Sequence, residues 1–217
     1  MTSPAWTFVV AATIAAVVDW IAVTRLDFRT ERFAKPAVVV ALLGVALTME
    51  PSMASPRPWI VAGLAASLAG DALLLPGGRF RAGLAAFFVA QVAYLGAFVQ
   101  WPLEVVGALI GMIGAAVLYA VAGRRIAAGA VATDRATGLA VIAYLIAISA
   151  MAVAATATLA PVLVAGAWLF VASDAVLGWR RFVADPTGAA LASPLSRLAV
   201  MVPYHVGQAL LVLSLAI

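Results

Sequence analysis

Three carboxyl groups and one imidazole fall inside stretches that are otherwise apolar: Asp19, Asp71, Asp174 and His205, with Lys35 heading a further apolar run. Ionisable groups at membrane depth are costly, face a partner or a cavity, and point to function. Asp71 and Asp174 are the sharpest pair, since neither has a base beside it in sequence. Two carboxyls in a shared apolar site do not carry charge equally. One stays protonated and can donate, while the other stays ionised and can activate water. That is the equipment for acid–base hydrolysis without a metal. Uncharged companions are Gln91, Tyr94, Tyr144, Tyr204 and Gln208. Tyr204 and Gln208 are spaced i, i+4, and His205 and Gln208 i, i+3, so one helix presents a polar stripe. Gln91 and Tyr94 repeat the i, i+3 spacing. Asp19, beside Trp20 and Arg25, reads instead as an interfacial group that snorkels toward the head groups. His205 taken alone suits a helix–helix hydrogen bond. Lys35 marks either a helix boundary or the counter-ion of an aspartate.

Other chemistries lack their residues. There is no Cys, and one His cannot build a usual zinc site, so neither a metal nor a cofactor is expected. Phosphate-binding loops, dinucleotide fingerprints and the G-x-S-x-G elbow are all missing from the sequence.

The elements that must carry these groups follow from composition. Of 217 residues, 66% are hydrophobic and only 10% charged, with a mean hydropathy of +1.14. Soluble domains are about 45–50% apolar and about 25% charged, so a soluble enzyme is excluded. The net charge of +4 does not signal nucleic acid, because the basic residues punctuate apolar spans and form no basic face. The chain reads as one integral membrane domain over residues 1–217, an all-α polytopic bundle of eight transmembrane helices. A span needs about 20 apolar residues. Helix 1 is placed at 5–24, helix 2 from Lys35-Pro36 to Met49, and helix 3 at 57–77. Helix 4 lies between Arg81 and Glu104, and helix 5 between Glu104 and Arg124. No charge interrupts 136–173, a length of about 57 Å at helical rise. It must fold back near 156–161, giving helices 6 and 7, and helix 8 occupies 197–217. No basic segment precedes the first apolar run, so helix 1 is expected to be retained rather than cleaved as a signal peptide.

Twelve of the thirteen Lys and Arg residues fall in the loops after helices 1, 3, 5 and 7, with Arg57 alone on the other side. The positive-inside rule puts those loops in the cytoplasm and both termini outside, in a multi-pass protein of the cell inner (plasma) membrane. With alternating helix directions, Asp71, Asp174, Gln91, His205, Asp19 and Lys35 all fall in the cytoplasmic half of the bilayer. A single site is the economical reading, with a lipid from the cytoplasmic leaflet as partner. Ala69-Gly70-Asp71-Ala72-Leu73-Leu74 is echoed 103 residues later by Ala172-Ser173-Asp174-Ala175-Val176-Leu177, as a parallel four-plus-four repeat would require.

Several ordered motifs recur together. Ala69-Gly70-Asp71 is followed by Phe80, Gly83-Leu84-Ala85-Ala86-Phe87, Gln91, Tyr94 and Phe98. Ser173-Asp174 precedes Leu177, Tyr204 precedes Gln208 and Leu210, Lys35-Pro36 opens helix 2, and Tyr144 and Met151 stand on helix 6. In this combination the chain resembles the YhhN-like lysoplasmalogenase family of eight-helix membrane proteins. The resemblance implies hydrolysis of the vinyl ether of lysoplasmalogens to a fatty aldehyde and a glycerophospho-ethanolamine or -choline. Asp71 and Asp174 would share the acid and water-activating roles. Lys35, Tyr204, His205 and Gln208 would position the head group or ether oxygen, with Gln91, Tyr94 and Tyr144 also at the substrate site. Two positions depart from the family pattern: a His commonly stands where this chain has Gln91, and a second Tyr where it has His205.

Two other readings use the same residues. An intramembrane aspartyl protease also relies on two helix-borne aspartates, but its Gly-x-Gly-Asp signature is absent here. A transporter of a lipid or small amphiphile would fit a repeat and a polar cavity, but requires access from both sides.

Overall fold

The computed structural model describes residues 1–74, 79–184 and 193–217. Each helix is set by local chemistry. α1 (Ser3–Arg25) begins where the Thr2 hydroxyl accepts from the Ala5 amide, with Pro4 in the first turn. It ends at Leu26 in the left-handed region (φ 55°), and Asp27 at once caps α2 (Phe28–Thr48) by accepting from the Arg29 and Thr30 amides at 3.1 and 3.2 Å. The predicted start of helix 2 at Lys35-Pro36 is therefore corrected. The Asp27 cap starts the helix earlier, Lys35 lies two turns inside it, and Pro36 is accommodated in its interior. α3 (Arg57–Leu73) and α4 (Phe80–Phe98) follow. The predicted extension of helix 3 over 75–77 lies outside the described residues.

α5 (Val105–Thr133) is also longer than expected. It runs through Arg124 and Arg125 by way of a π-turn at Tyr119–Gly123, so these charges sit on a continuing helix and do not end it. A single extended residue, Asp134, breaks it and caps α6 (Arg135–Ala157) through the Thr137 amide at 2.9 Å and the Thr137 hydroxyl at 2.6 Å. The predicted reversal occurs at 158–160, with Leu159 at φ 52°, and leads into α7 (Pro161–Phe182). α8 (Pro194–Leu213) finishes in a 3-10 turn, Ser214–Ala216.

The described residues thus form eight helices and no strand. Six of the helices (α1, α4, α5, α6, α7 and α8) are long and apolar enough to cross a membrane. α2 is laden with charge in its first turns, and α3 is 17 residues long.

Successive helices pack as antiparallel pairs, α1 on α2, α3 on α4, α5 on α6 and α7 on α8, with α4 against α6 and α8 against α1 and α2. Small residues allow close approach, the usual means of helix association where lipid offers no hydrophobic drive. A Cβ on Gly70 would stand 2.6 Å from the Phe87 ring, so the glycine preceding Asp71 lets α3 lie against α4. The core between the pairs is aromatic and aliphatic, with Phe87, Tyr94, Phe98, Phe170 and Tyr204 in edge-on or stacked contact.

Candidate active site

A cavity of about 350 Å³ opens between the helices at the end where α1 meets α2 and α7 stops. Its walls include Leu84, Phe87, Leu118, Ile148 and Val171, and the π-turn of α5 contributes Tyr119, Ala122 and Gly123. π-turns recur at functional sites because they break the regular ladder and re-aim nearby groups.

Five of the residues singled out from the sequence line this cavity: Lys35, Asp71, Tyr144, Asp174 and Tyr204. They form two carboxylate clusters. The Lys35 ammonium lies 2.9 Å from Asp71 Oδ1, and the Tyr204 hydroxyl donates to Asp71 Oδ2 at 2.8 Å. Tyr144 donates its hydroxyl to Asp174 Oδ2 and accepts from the Gln91 amide nitrogen at 3.0 Å. Each aspartate is therefore held by one tyrosine from another helix. Lys35 is a counter-ion, which settles the choice between boundary and partner. Asp71 has a cation beside it, whereas Asp174 has none within ion-pair distance among the described residues. The second oxygen of Asp174 makes no hydrogen bond to the described residues.

The other four predicted residues do not reach the cavity wall. Gln91 stands behind Tyr144 and orients its hydroxyl. Tyr94 donates to Gln208 Oε1, tying α4 to α8 in the buried core. His205 accepts at Nδ1 from the Trp20 indole at 3.2 Å, with the rings stacked, so it joins α8 to α1.

Asp19 differs from its sequence reading. It is 0% exposed and makes no hydrogen bond among the described residues, because it shares the buried face of α1 with Ala12, Ala16, Ala22 and Val23. It is not an interfacial group. Sequence reasoning also passed over Glu31, Arg32, Arg181 and Arg197, all on the cavity wall. The signal was present as helical spacing, since Arg181 is seven residues from Asp174 and Arg197 seven from Tyr204.

The profile of the YhhN family matches residues 30–215, nearly the whole of this assembly. The chain belongs to the YhhN family. The match includes both aspartates, both tyrosines that hold them, and Lys35. Comparison with curated proteins finds no match, and neither does comparison with solved structures. Within the matched span, Gln91 and His205 serve different neighbours: Gln91 bonds Tyr144, and His205 bonds Trp20.

Proposed function

We propose that this protein is a multi-pass hydrolase of the inner membrane that cleaves the vinyl ether of lysoplasmalogens. The observation that carries the reading is the pair of carboxyl groups on one apolar cavity wall, one with a counter-ion and one that, among the described residues, has only a phenol donor. All eight helices cross the membrane in this reading, with both termini outside and the cavity opening toward the cytoplasmic leaflet. The one-sided distribution of Lys and Arg supports that orientation.

The chemistry follows from the unequal surroundings of the two carboxyls. Asp174, with no cation within ion-pair distance among the described residues, carries the proton and delivers it to the vinyl carbon remote from oxygen. The oxygen-bearing carbon becomes an oxocarbenium ion. Asp71, ionised beside Lys35, accepts a proton from water as its oxygen bonds to that carbon. The resulting hemiacetal collapses: its hydroxyl proton passes to the Asp174 carboxylate, its carbon–oxygen bond to glycerol breaks, and the glycerol oxygen takes the proton held by Asp71, so that the aldehyde leaves and both carboxyls return to their starting states. No redox step occurs, and the protons balance.

The test is aldehyde release from 1-alkenyl-lysophosphatidylethanolamine and its choline analogue by detergent-purified protein. Asp71→Asn and Asp174→Asn are each expected to lower turnover by about 10²–10⁴-fold, the range for losing an acid–base group. Well-folded wild-type protein that releases no aldehyde would sink the substrate assignment.

A further inference from the structure

Three helices place a cation on the cavity wall, displaced toward the same end from the reacting layer. On α7, Arg181 follows Asp174 by seven residues, about 10 Å along the axis and on the same face. On α8, which runs the other way, Arg197 precedes Tyr204 by the same seven residues. On α2, Arg32 lies one turn before Lys35. The cavity is thus layered, with an apolar wall, a carboxylate–tyrosine layer and an arginine rim.

These arginines differ from those that merely mark topology. Arg25, Arg29, Arg79, Arg124, Arg125 and Arg135, which the charge pattern of the sequence assigns to the same side, do not line the cavity. The Arg181 guanidinium is held 3.8 Å over the Phe80 ring, and Arg197 lies 4.7 Å over Phe28 while bonded to Glu31. Arg32 and Arg181 have no carboxylate partner among the described residues. Arg181 over Phe80 and Arg32 5.0 Å over Phe33 present donor edges that no carboxylate of the described residues engages, and those edges suit a phosphate, whereas Arg197 already gives one nitrogen to Glu31.

We propose that Arg181 and Arg32, with Arg197 completing the rim, form the subsite that binds the phosphate of the amphiphile held in this cavity. The phosphate sits at the rim, a glycerol-length spacer crosses to the carboxylates, and the chain lies along the apolar wall. The inference rests on the reading of the cavity as a lysolipid site and adds the group that anchors the substrate. Phosphate from a lipid head group and phosphate from a soluble ester share this chemistry, and the layering favours the lipid.

The experiment is calorimetric titration of the detergent-solubilised full chain with saturated ether analogues, which contain no vinyl ether and are not cleaved. A 1-O-alkyl-glycerophosphocholine is expected to bind about tenfold tighter than the 1-O-alkylglycerol lacking phosphate, a modest gain for partly exposed cations. Arg181→Gln with Arg32→Gln is expected to erase that preference, and Arg29→Gln, on the same side but off the cavity, to retain it. Arg181→Gln alone, at an exposed position, guards against misfolding and is expected to give a partial loss. Glycerophosphocholine without a chain is expected to bind at least tenfold more weakly than the lipid.

Equal affinity for the two alkyl ligands, or a preference that survives the double variant, overturns the subsite. Chain-free ester or inorganic phosphate binding as tightly as the lipid overturns the lipid assignment. Because these ligands are not cleaved, a wild-type protein that shows the preference but releases no aldehyde refutes the hydrolysis and supports the subsite.

Discussion

Lys35 and Asp71 form an ion pair at 2.9 Å across α2 and α3, with 14% and 1% of their side chains exposed. Both charges are withdrawn from water, so the pair's worth lies in mutual compensation and not in net stabilisation. Lys35→Met leaves the Asp71 carboxylate unpaired and is expected to cost about 3–5 kcal/mol, the penalty for breaking a buried pair. Lys35→Met with Asp71→Asn is expected to regain most of the lost melting temperature while remaining inactive. Thermal unfolding in detergent beside an aldehyde assay checks both. A double variant no more stable than Lys35→Met would refute the compensation.

Tyr144 and Tyr204 each hold one aspartate from a neighbouring helix. Tyr144→Phe removes the only hydrogen-bond donor to Asp174 among the described residues and strands the Gln91 amide. Tyr204→Phe leaves Asp71 its lysine. Turnover is expected to fall further in Tyr144→Phe than in Tyr204→Phe, with stability losses of about 1–3 kcal/mol in each. Equal kinetic losses would show that the counter-ion does not distinguish the two sites.

His205 is the only histidine and an obvious candidate for proton transfer, yet its ring is bonded to Trp20 and absent from the cavity wall. His205→Gln is expected to lower the melting temperature and to leave turnover within about tenfold of wild type, far short of the loss for an acid–base catalyst. A loss of about 10³-fold in folded protein would restore the imidazole to the mechanism.

α7 and α8 approach through Gly207, where a Cβ would stand 2.9 Å from the Gly166 carbonyl oxygen and 3.1 Å from the Phe170 amide nitrogen. Both neighbours are backbone and cannot rotate away. Gly207→Ala is expected to cost about 1–3 kcal/mol as the helices part, carrying Tyr204 away from Asp71. Gly178→Ala meets only the flexible Ile126 side chain at 3.1 Å and is expected to be milder. Melting temperatures of the two variants compare them directly.

Asp27 and Asp134 cap helices in turns outside the spans. The Thr30 hydroxyl, then the local amides, hold the Asp27 carboxyl below its ordinary value of 3.8, and the Thr137 hydroxyl and amide do the same for Asp134. A lowered folded value means stability that is present above the unfolded value and lost as pH falls through the folded one. Wild type is expected to exceed Asp134→Asn in melting temperature at about pH 6 and to converge with it in acid, toward and below the unfolded carboxyl value. A pH-independent difference would show that the carboxylate charge contributes nothing.

The linear sequence determined those features that depend on one helix at a time. Apolar runs and interrupting charges are local properties, and they sufficed for eight helices and the reversal before Pro161. They fail at Lys35 and Arg124, where charge suggests a boundary, because a helix obeys its cap and backbone ladder before its hydropathy. The residue types and spacing of Asp71, Asp174, Tyr144 and Tyr204 singled out groups that line the cavity, but which tyrosine serves which aspartate is set only in the tertiary structure. It also placed Gln91, Tyr94, His205 and Gln208 behind the wall, and Asp19 in the core. Each residue turns a helix face by about 100°, so partners depend on how every helix is rotated about its own axis. That rotation is set between helices, by contacts such as Gly70 on Phe87 and Gly207 on Gly166, which no single stretch of sequence contains.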